Sequence, residues 1–339
     1  MQINTIGLDL AKNIFHVHCI SADGTVISNR SLRRSQVHTF FKKIPACLVG
    51  MEACATSHHC ARELSSLGHE VRLIPPSYVK PDVKRGKSDA VDAEAICEAV
   101  TRPNMRFVQP KSKQQQALLC LHRARELIVR QRTQIINSIR GLLAEFGVTI
   151  GQGVPRIMAF ARSMTNGNQP DVPDLVREIV GNLSHQLLSL ERRARWYQLR
   201  IVQHSRSDDR AKRLQKIPGI GPVTASAIVA TVGNAVQFRN GRELAAWIGL
   251  TPLNRSSGGK ERLGRISKMG DQYLRRLLIV GATSRLKSVR AGNDWQDAWV
   301  KAMLERKPFR LVSVAIANKT ARIVWAILTK NEEYRRQPV

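Results

Sequence analysis

Ile-Asn-Thr-Ile-Gly-Leu-Asp-Leu-Ala-Lys-Asn-Ile-Phe-His-Val-His-Cys-Ile, residues 3–20, decide the fold of the first third of this 339-residue chain. Two apolar segments, 3–10 and 14–20, have the composition of β-strands. Asp23-Gly24 is a strong hairpin signal, because both residues accept the backbone angles of a tight turn, and it leads into a third strand at 25–31. The chain therefore begins with three strands that we expect to pair in antiparallel order.

Helices and strands alternate after this antiparallel beginning. The predicted order is helix 35–43, strand 47–51, helix 57–67, strand 71–74 and helix 88–100. Gly68 is suited to end the second of these helices. Three antiparallel strands followed by alternating helix and strand predict an α/β domain, which we place at residues 1–110.

Four carboxylates stand out on these elements. Asp9 lies inside an apolar strand, where an unpaired charge is costly, and Glu52 ends the fourth strand. Asp89 and Asp92 are three residues apart and so share one face of their helix. Phosphoryl-transfer enzymes hold Mg²⁺ with such oxygen ligands on rigid elements. Taken singly, each aspartate also has a plain interpretation as a helix cap, a solvated side chain or a local hydrogen-bond acceptor.

Histidines and cysteines offer two weaker alternatives. His16 and His18 share one face of a strand, which we interpret as a polar face. A zinc site would need four residues that crowd one short helix, with no second Cys/His pair following: Cys54, His58, His59 and Cys60. Helix packing explains these four residues better. The six cysteines are scattered through the chain, and we interpret them as free thiols.

The middle of the chain, residues 111–210, predicts two long helices at about 112–146 and 171–204. Apolar residues recur at heptad spacing in the second helix at Leu183, Leu187, Leu190, Ala194, Tyr197 and Ile201. In the first helix they repeat every seven residues at Leu121, Ile128, Ile135 and Leu142. Such a pair folds into an antiparallel hairpin or mediates association between chains.

Charge increases along the chain. With 54 basic and 26 acidic residues, the net charge is +28, and residues 211–339 carry the largest excess. Nucleic acid is the natural partner for such a balance. A hydrophobic content of 43% excludes a wholly disordered chain. We expect no membrane span, because the most apolar run, 311–328, is interrupted by polar and charged residues, and we expect a cytoplasmic protein without a signal peptide.

Two segments of the basic domain, residues 211–339, carry candidate functional residues. Pro218-Gly219-Ile220-Gly221 lies between two helices in a helix–hairpin–helix pattern, where Gly219 and Gly221 would let backbone N–H groups approach a phosphate. Ser256-Ser257-Gly258-Gly259 forms a loop whose hydroxyl groups could attack phosphorus, although such a loop is more often only a connection. Candidate nucleic-acid contacts are Arg255, Lys260, Arg262, Arg265, Lys268, Arg275 and Arg276.

Taken in order, the motifs of the chain resemble one known family. These motifs are Gly7–Lys12, Met51–Ala53, Lys87–Ala93, Ile217–Gly221, Ser256–Lys260 and Ile266–Asp271. Each is modest alone, but the ordered set spans essentially the whole chain. It is similar to the DEDD transposases of the insertion-sequence one-ten family and to their eleven-eleven subgroup, the bridge-RNA-guided recombinases.

The resemblance implies a fold and a mechanism. It implies a ribonuclease-H-like, RuvC-like N-terminal domain whose carboxylates Asp9, Glu52, Asp89 and Asp92 bind Mg²⁺. It also implies a mainly α-helical C-terminal transposase domain whose nucleophile matches Ser257, with the adjacent Ser256 as an open alternative. The family assembles as a tetramer on a structured non-coding RNA that pairs with donor and target DNA. Its active site combines carboxylates of one subunit with the serine of another.

The function expected from this resemblance is RNA-guided transposition in the bacterial cytoplasm, at the nucleoid. The serine would attack the scissile phosphate and form a phosphoserine-linked strand. Two alternatives stay open from the residues alone. One is a Mg²⁺-dependent, junction-resolving nuclease that uses water, with the Ser-Gly loop as structure only. The other is a non-enzymatic nucleic-acid scaffold.

Overall fold

The computed structural model describes residues 2–79, 89–167, 170–255, 260, 262–291 and 298–335. The chain divides into two compact units, residues 1–113 and 114–339. The predicted helical middle, from residue 114 onward, and the predicted basic domain both lie in the second unit. All six cysteines are free thiols, as the sequence predicted.

A five-stranded mixed sheet forms the centre of the first unit. Its strands are β1 (Thr5–Asp9), β2 (Ile14–Ile20), β3 (Val26–Arg33), β4 (Leu48–Glu52) and β5 (Glu70–Ile74). Their order across the sheet is β3-β2-β1-β4-β5. The first three strands pair in antiparallel fashion, whereas β4 and β5 run parallel to β1. The predicted antiparallel beginning and the α/β order that follows it are confirmed.

Helices cover this sheet. They are α1 (Arg34–Lys43), α2 (Ser57–Ser66), the short α3 (Pro76–Val79) and α4 (Asp89–Thr101). Apolar residues of α1 and α2, among them Phe41 and Leu64, pack with Ile6 and Leu8 of β1 in one core. Because side chains alternate across a strand, Gly7 faces the other side of the sheet, and α4 packs there.

The second unit is mainly helical. Its helices are α5 (Lys113–Ala144), α6 (Val154–Thr165), α7 (Asp174–Ser207), α8 (Asp209–Gln215), α9 (Pro222–Val232), α10 (Gly241–Ile248), α11 (Gln272–Arg290), α12 (Ala298–Arg306) and α13 (Phe309–Lys330). A short hairpin joins β6 (Pro252–Asn254) and β7 (Leu263–Ile266). The two predicted long helices are confirmed as α5 and α7.

The α7 seam is as predicted, but the α5 seam is not. On α7, Leu187, Leu190, Ala194 and Ile201 are buried. On α5, the predicted seam residue Leu142 is 39% exposed, whereas its neighbour Leu143 is fully buried. The strict seven-residue repeat is wrong at this end of α5, because a straight helix drifts relative to a heptad pattern.

Helix α13 is the core helix of the second unit. By length and composition alone it could cross a membrane, with a mean hydropathy of 1.5 over its most apolar window. Yet it packs against α10 and α11, and its buried residues belong to the largest hydrophobic core: Val312, Ile316, Ala317, Ala321, Val324 and Ile327. Lys319 and Arg322 interrupt its apolar sequence.

Candidate active site and nucleic-acid surface

Two glycines bring helix α4 down onto the sheet. Gly7 and Gly50 are register partners on the parallel strands β1 and β4. A Cβ atom on Gly7 would lie 2.0 Å from the backbone oxygen of Ala93, and one on Gly50 would lie 2.7 Å from Cβ of Val100. Any larger residue would therefore push α4 away. The close approach places the first turn of α4 beside the end of β1, where Asp9 lies.

Three carboxylates meet at this point. One oxygen each from Asp9, Asp89 and Asp92 lies within 4.8 Å of the others. Asp9 and Asp92 are half-buried, whereas Asp89 is exposed. Glu52 ends β4, the parallel neighbour of β1, and its charge acts on Asp9. The structure thus brings together three of the four carboxylates that the sequence singled out, and the fourth, Glu52, ends the adjoining strand.

The electrostatics of the cluster favour a cation. Burial raises the pKa of the Asp9 carboxyl to about 6, and the neighbouring carboxylates add to this effect in the order Asp92, Asp89 and Glu52. Like charges held this close are costly unless a proton or a cation compensates them. Carboxylate oxygens are the ligands that hard divalent cations prefer, so the donor set fits such an ion.

His16 is a member of this site that the sequence interpretation missed. It is the cross-strand partner of Asp9. Its Nε2 lies 3.5 Å from Oδ2 of Asp89, and its Nδ1 lies 3.4 Å from Oγ of Ser31. The interpretation of His16 and His18 as a plain polar face is wrong, because His18 is only 6% exposed. Counting the register outward from residues 10–13, which connect β1 to β2, would have placed His16 opposite Asp9.

The alternative zinc site does not form. Nδ1 of His58 accepts a hydrogen bond from the backbone N–H of Lys111, and Cys60 is buried in the core of the first unit. Within the described ranges, the three aspartates are the only group of three or more potential ligands whose donor atoms lie so close together.

The two glycines of the helix–hairpin–helix turn serve different purposes. Gly219 has a φ of +91°, and a Cβ on it would lie 2.9 Å from the backbone oxygen of Gly281 in α11. Packing therefore accounts for glycine at this position. Gly221 begins α9 as its N-cap, and a Cβ there would meet no atom within 4 Å. Of these two glycines, only Gly221 faces open space in the way that an approaching phosphate requires.

The structure corrects the prediction made for Arg275. The sequence interpretation assigned it to nucleic acid, but it is only 9% exposed. Its guanidinium donates hydrogen bonds to the backbone oxygens of Ile248 and Met269, at 2.7 and 3.1 Å. Because Asp271 caps α11 through the N–H of Leu274, the helix phase turns position 275 inward. Arg275 thus ties the end of α10 to the segment just before α11 instead of facing a ligand.

The other candidate cations lie at or near the β6–β7 hairpin. Arg255 is the last described residue before the loop, and its N–H donates to the backbone oxygen of Arg262 at 2.9 Å. Ser256 and Ser257 lie outside the described residues. Exposed cations of this region are Arg255, Lys260, Arg262, Arg265 and Lys268.

Arg276, on α11, is half-exposed and already has partners. Its guanidinium pairs with Glu126 of α5 at 2.8 Å and lies 5.4 Å from the ring centroid of Tyr273. It remains accessible at the surface, but any nucleic-acid contact would compete with this ion pair.

A buried histidine ties α5 to the C-terminal core. Nδ1 of His122 lies 3.0 Å from the hydroxyl of Tyr273, and its Nε2 lies 3.0 Å from the hydroxyl of Ser226. Burial lowers the pKa of His122 to about 4, so the imidazole is neutral at pH 7. Local sequence patterns do not indicate this network, because His122 is more than 100 residues away from both of its partners.

A carboxylate cluster on a mixed sheet, joined to a basic helical unit, is the combination expected of an enzyme that recombines DNA. Comparison with known protein families supports that class. A family model described as "Transposase", of the IS110 DEDD type, matches residues 6–147. A second model, described as "Transposase IS116/IS110/IS902 family", matches residues 211–298.

Relatives extend this similarity along the whole chain. A "Probable family 20 transposase" of Pseudomonas aeruginosa is 47% identical over 336 residues, which are 99% of each chain. The "Transposase for insertion sequence element IS1328" of Yersinia enterocolitica is 38% identical over 99% of each chain. The corresponding IS1111A protein of Coxiella burnetii is 38% identical over 98% of this chain and 92% of its own. The chain belongs to the IS110 transposase family and is a DNA-recombining enzyme.

Proposed function

We propose that this transposase exchanges DNA strands through a serine–phosphate intermediate, at a composite site that also uses Mg²⁺. The observation that carries the proposal is the convergence of Asp9, Asp89 and Asp92 on one point. Transposition itself follows from family membership, and the carboxylate cluster indicates how phosphates would be activated.

The architecture of the first unit supports a RuvC-like, ribonuclease-H-type domain. Its strand order, β3-β2-β1-β4-β5, combines three antiparallel strands with two parallel ones. Asp9 lies at the end of the central strand β1, Glu52 at the end of its neighbour β4, and two aspartates begin α4. In this arrangement, three adjoining elements supply the four carboxylates expected from the DEDD motif.

We assign Mg²⁺ to the carboxylates Asp9, Glu52, Asp89 and Asp92. When bound, the ion would neutralise charge on the scissile phosphate and polarise its oxygens. The residues supply the rest of the arrangement. The strand end fixes Asp9, the first turn of α4 fixes two further carboxylates, and burial disfavours the bare carboxylate of Asp9 at neutral pH.

Ser257 is the proposed nucleophile. Its Oγ attacks the scissile phosphorus, the Oγ–P bond forms, and the P–O bond to the neighbouring sugar breaks. The proton of the serine hydroxyl is transferred to the leaving sugar oxygen, so that charge and atoms balance. Exposed guanidinium groups of Arg255, Arg262 and Arg265 beside the loop would stabilise the phosphate charge. Reversal of the step on another strand rejoins the DNA.

The site is proposed to combine residues of different subunits in a tetramer. The carboxylate cluster belongs to the first compact unit, whereas the Ser-Gly loop belongs to the second. A division of this kind allows one subunit to supply the carboxylates and another the serine. Strand exchange then depends on assembly, which prevents an isolated subunit from cutting DNA.

We assign the choice of DNA site to a structured non-coding RNA from the element, which acts with the enzyme at the bacterial nucleoid. In such a system, base pairing determines the sequence and the protein holds the nucleic-acid backbone. The net charge of +28 supports the binding of more than one polyanion. An RNA from the flanking non-coding DNA, with loops complementary to the element's junctions, would be expected to copurify with the protein.

The serine step is tested with Ser257→Ala and the matched control Ser256→Ala. Full-length protein, DNA substrate and element RNA are incubated with Mg²⁺ and resolved on a denaturing gel. We expect Ser257→Ala to abolish the protein–DNA adduct while leaving DNA binding intact, and Ser256→Ala to retain the adduct. The reverse result moves the nucleophile to Ser256.

A junction-resolving nuclease is the second candidate, because the carboxylate cluster alone is sufficient for metal-assisted hydrolysis by water. It predicts Mg²⁺-dependent cleavage with free ends and no adduct in wild-type protein. A pure scaffold predicts that Asp9→Asn changes nothing. The same gel therefore separates all three functions.

A further inference from the structure

The outward face of α7 carries an exposed aromatic residue among arginines. Helix positions separated by 4, 3 and 4 residues share a face, and on α7 these positions lie opposite the buried seam. We name this surface the Trp196 strip. It consists of Arg192, Trp196, Leu199, Arg200 and Gln203.

The apolar residues of the strip are unusually accessible. Trp196 is 52% exposed and Leu199 is 63% exposed. The rings of Trp196 and the half-buried Tyr197 pack edge to face, with 5.0 Å between their centroids. Tyr197, a residue of the α7 seam, therefore supports the position of the Trp196 ring. The guanidinium of Arg200 lies 5.4 Å from the Trp196 ring centroid. An indole held in this way offers a flat surface to a ligand.

The charge around the strip is almost entirely positive. Between residues 191 and 206 the sequence contains five arginines and one acidic residue, Glu191. Glu191 already pairs with Arg132 and Arg195. Arg192 and Arg200 are exposed, and within the part of the chain that the structure describes neither has an ion-pair partner; Arg200 donates a hydrogen bond to Oε1 of Gln203 at 3.4 Å. The strip therefore presents uncompensated guanidinium groups on both sides of an indole.

These observations favour one occupant. The same strip of a second copy would bring arginines against arginines, with no carboxylate in the strip to offset them. A duplex would satisfy the arginines through its phosphates, but its bases are stacked inside and leave the indole uncovered. An unpaired nucleic-acid strand supplies both phosphates for the guanidinium groups and base faces for the ring.

We infer that the Trp196 strip binds unpaired nucleotides, with a base stacked on Trp196 and phosphates on Arg192 and Arg200. The inference rests on the proposed nucleic-acid partners of the enzyme but not on its serine chemistry. The loops of a folded RNA and a displaced DNA strand offer the same chemistry. The test must therefore contain an arm for each.

The experiment compares Trp196→Ala, Trp196→Phe and the control Leu175→Ala in the full-length protein. Leu175 is 67% exposed on the same helix, so its substitution controls for the loss of an exposed apolar side chain. Binding is measured by fluorescence anisotropy with three labelled probes: a stem-loop RNA with a large pyrimidine loop, the corresponding loopless duplex, and a single-stranded DNA of the loop sequence. Sedimentation velocity records the oligomeric state of each variant.

We expect Trp196→Ala to weaken binding of the stem-loop RNA about 5- to 150-fold, the range of one lost base stack, and to leave duplex binding unchanged. Trp196→Phe should retain most of the affinity, and Leu175→Ala should behave as wild type. A loss of affinity for the RNA alone shows that the strip binds the RNA. A loss of affinity for both the stem-loop RNA and the single-stranded DNA shows that the strip binds unpaired nucleotides of either kind.

Three results would overturn the inference. The first is unchanged affinity of Trp196→Ala for both single-stranded probes. The second is an equal loss on the duplex, which would indicate a general rather than a stacking effect. The third is a changed oligomeric state with unchanged affinity, which would make the strip a contact between subunits. A failure of the adduct test, by contrast, would leave this inference untouched.

Discussion

The imidazole of His16 lies beside the carboxylate of Asp89, with 3.5 Å between Nε2 and Oδ2. His16 comes from β2, which pairs with the strand that carries Asp9, whereas Asp89 begins α4. The contact therefore links the sheet to the helix within the carboxylate cluster. Replacing a group that holds a metal ligand in place commonly lowers the metal affinity by about 10- to 100-fold.

Replacing His16 should weaken metal binding. We expect His16→Ala to reduce the affinity for Mn²⁺ about 10-fold or more, measured by calorimetric titration of the full-length protein. His16→Gln should lose less, because its amide can still donate toward Asp89. His38→Ala, on the exposed face of α1, serves as the control. Wild-type affinity in His16→Ala would show that the contact does not orient the ligand.

Asp9→Asn should stabilise the metal-free protein. The raised pKa of Asp9, about 6 against an ordinary 3.8, means that the folded state loses stability as the pH rises through this range. Asparagine removes that loss. After a discount for the partly exposed carboxyl, we expect a gain of about 1 kcal/mol at pH 7 in EDTA, measured by urea unfolding. Saturating Mg²⁺ should reverse the order. If Asp9→Asn is less stable than the wild type in EDTA, the claim that the ionised Asp9 carboxylate destabilises the metal-free protein is contradicted.

Gly7→Ala should separate α4 from the sheet. Its new Cβ would lie 2.0 Å from the backbone oxygen of Ala93, which cannot move independently of the helix. We expect a destabilisation of about 1–3 kcal/mol together with weaker Mn²⁺ binding. Gly181→Ala in α7 is the matched control, because a Cβ there meets no atom and should stabilise the helix by up to about 1 kcal/mol. Normal metal binding by Gly7→Ala would exclude this role of the glycine.

Stability should fall at mildly acidic pH because of His122. Its pKa, lowered by burial to about 4, means that the unfolded chain takes up the proton first. The stability that neutral His122 contributes is complete above about pH 6.5 and declines as the pH falls toward 4, by up to about 3 kcal/mol. His122→Gln should flatten this decline in urea unfolding, whereas the exposed His185→Gln should not. Parallel pH profiles for the wild type and His122→Gln would contradict the prediction.

Much of the fold followed from local sequence patterns. The Asp23-Gly24 turn predicts the antiparallel pairing of β2 with β3, and apolar runs locate the strands that follow. The four carboxylates stand out in the sequence because Asp9 lies inside an apolar strand, Glu52 ends a strand, and Asp89 and Asp92 share one helix face. What local patterns could not provide was the pairing of Gly7 with Gly50, because the register of parallel strands depends on elements distant in sequence.

The misread residues share one physical reason. Arg275 lies in a basic segment and looked exposed, but the cap at Asp271 sets a helix phase that buries it with Leu274 and Leu278. His16 looked like part of a solvent-facing strand until α4 covered that face. In both cases tertiary packing, not the local sequence, determines the environment of the side chain.

Mixing two inactive variants tests the composite site most directly. Asp9→Asn and Ser257→Ala are each expected to be inactive in strand exchange. If carboxylates and serine come from different subunits, their co-assembly creates some sites with both intact groups, and the mixture should recover exchange and protein–DNA adducts. Heteromers that form, as shown by pull-down of differently tagged chains, but remain as inactive as either variant alone would contradict the composite site.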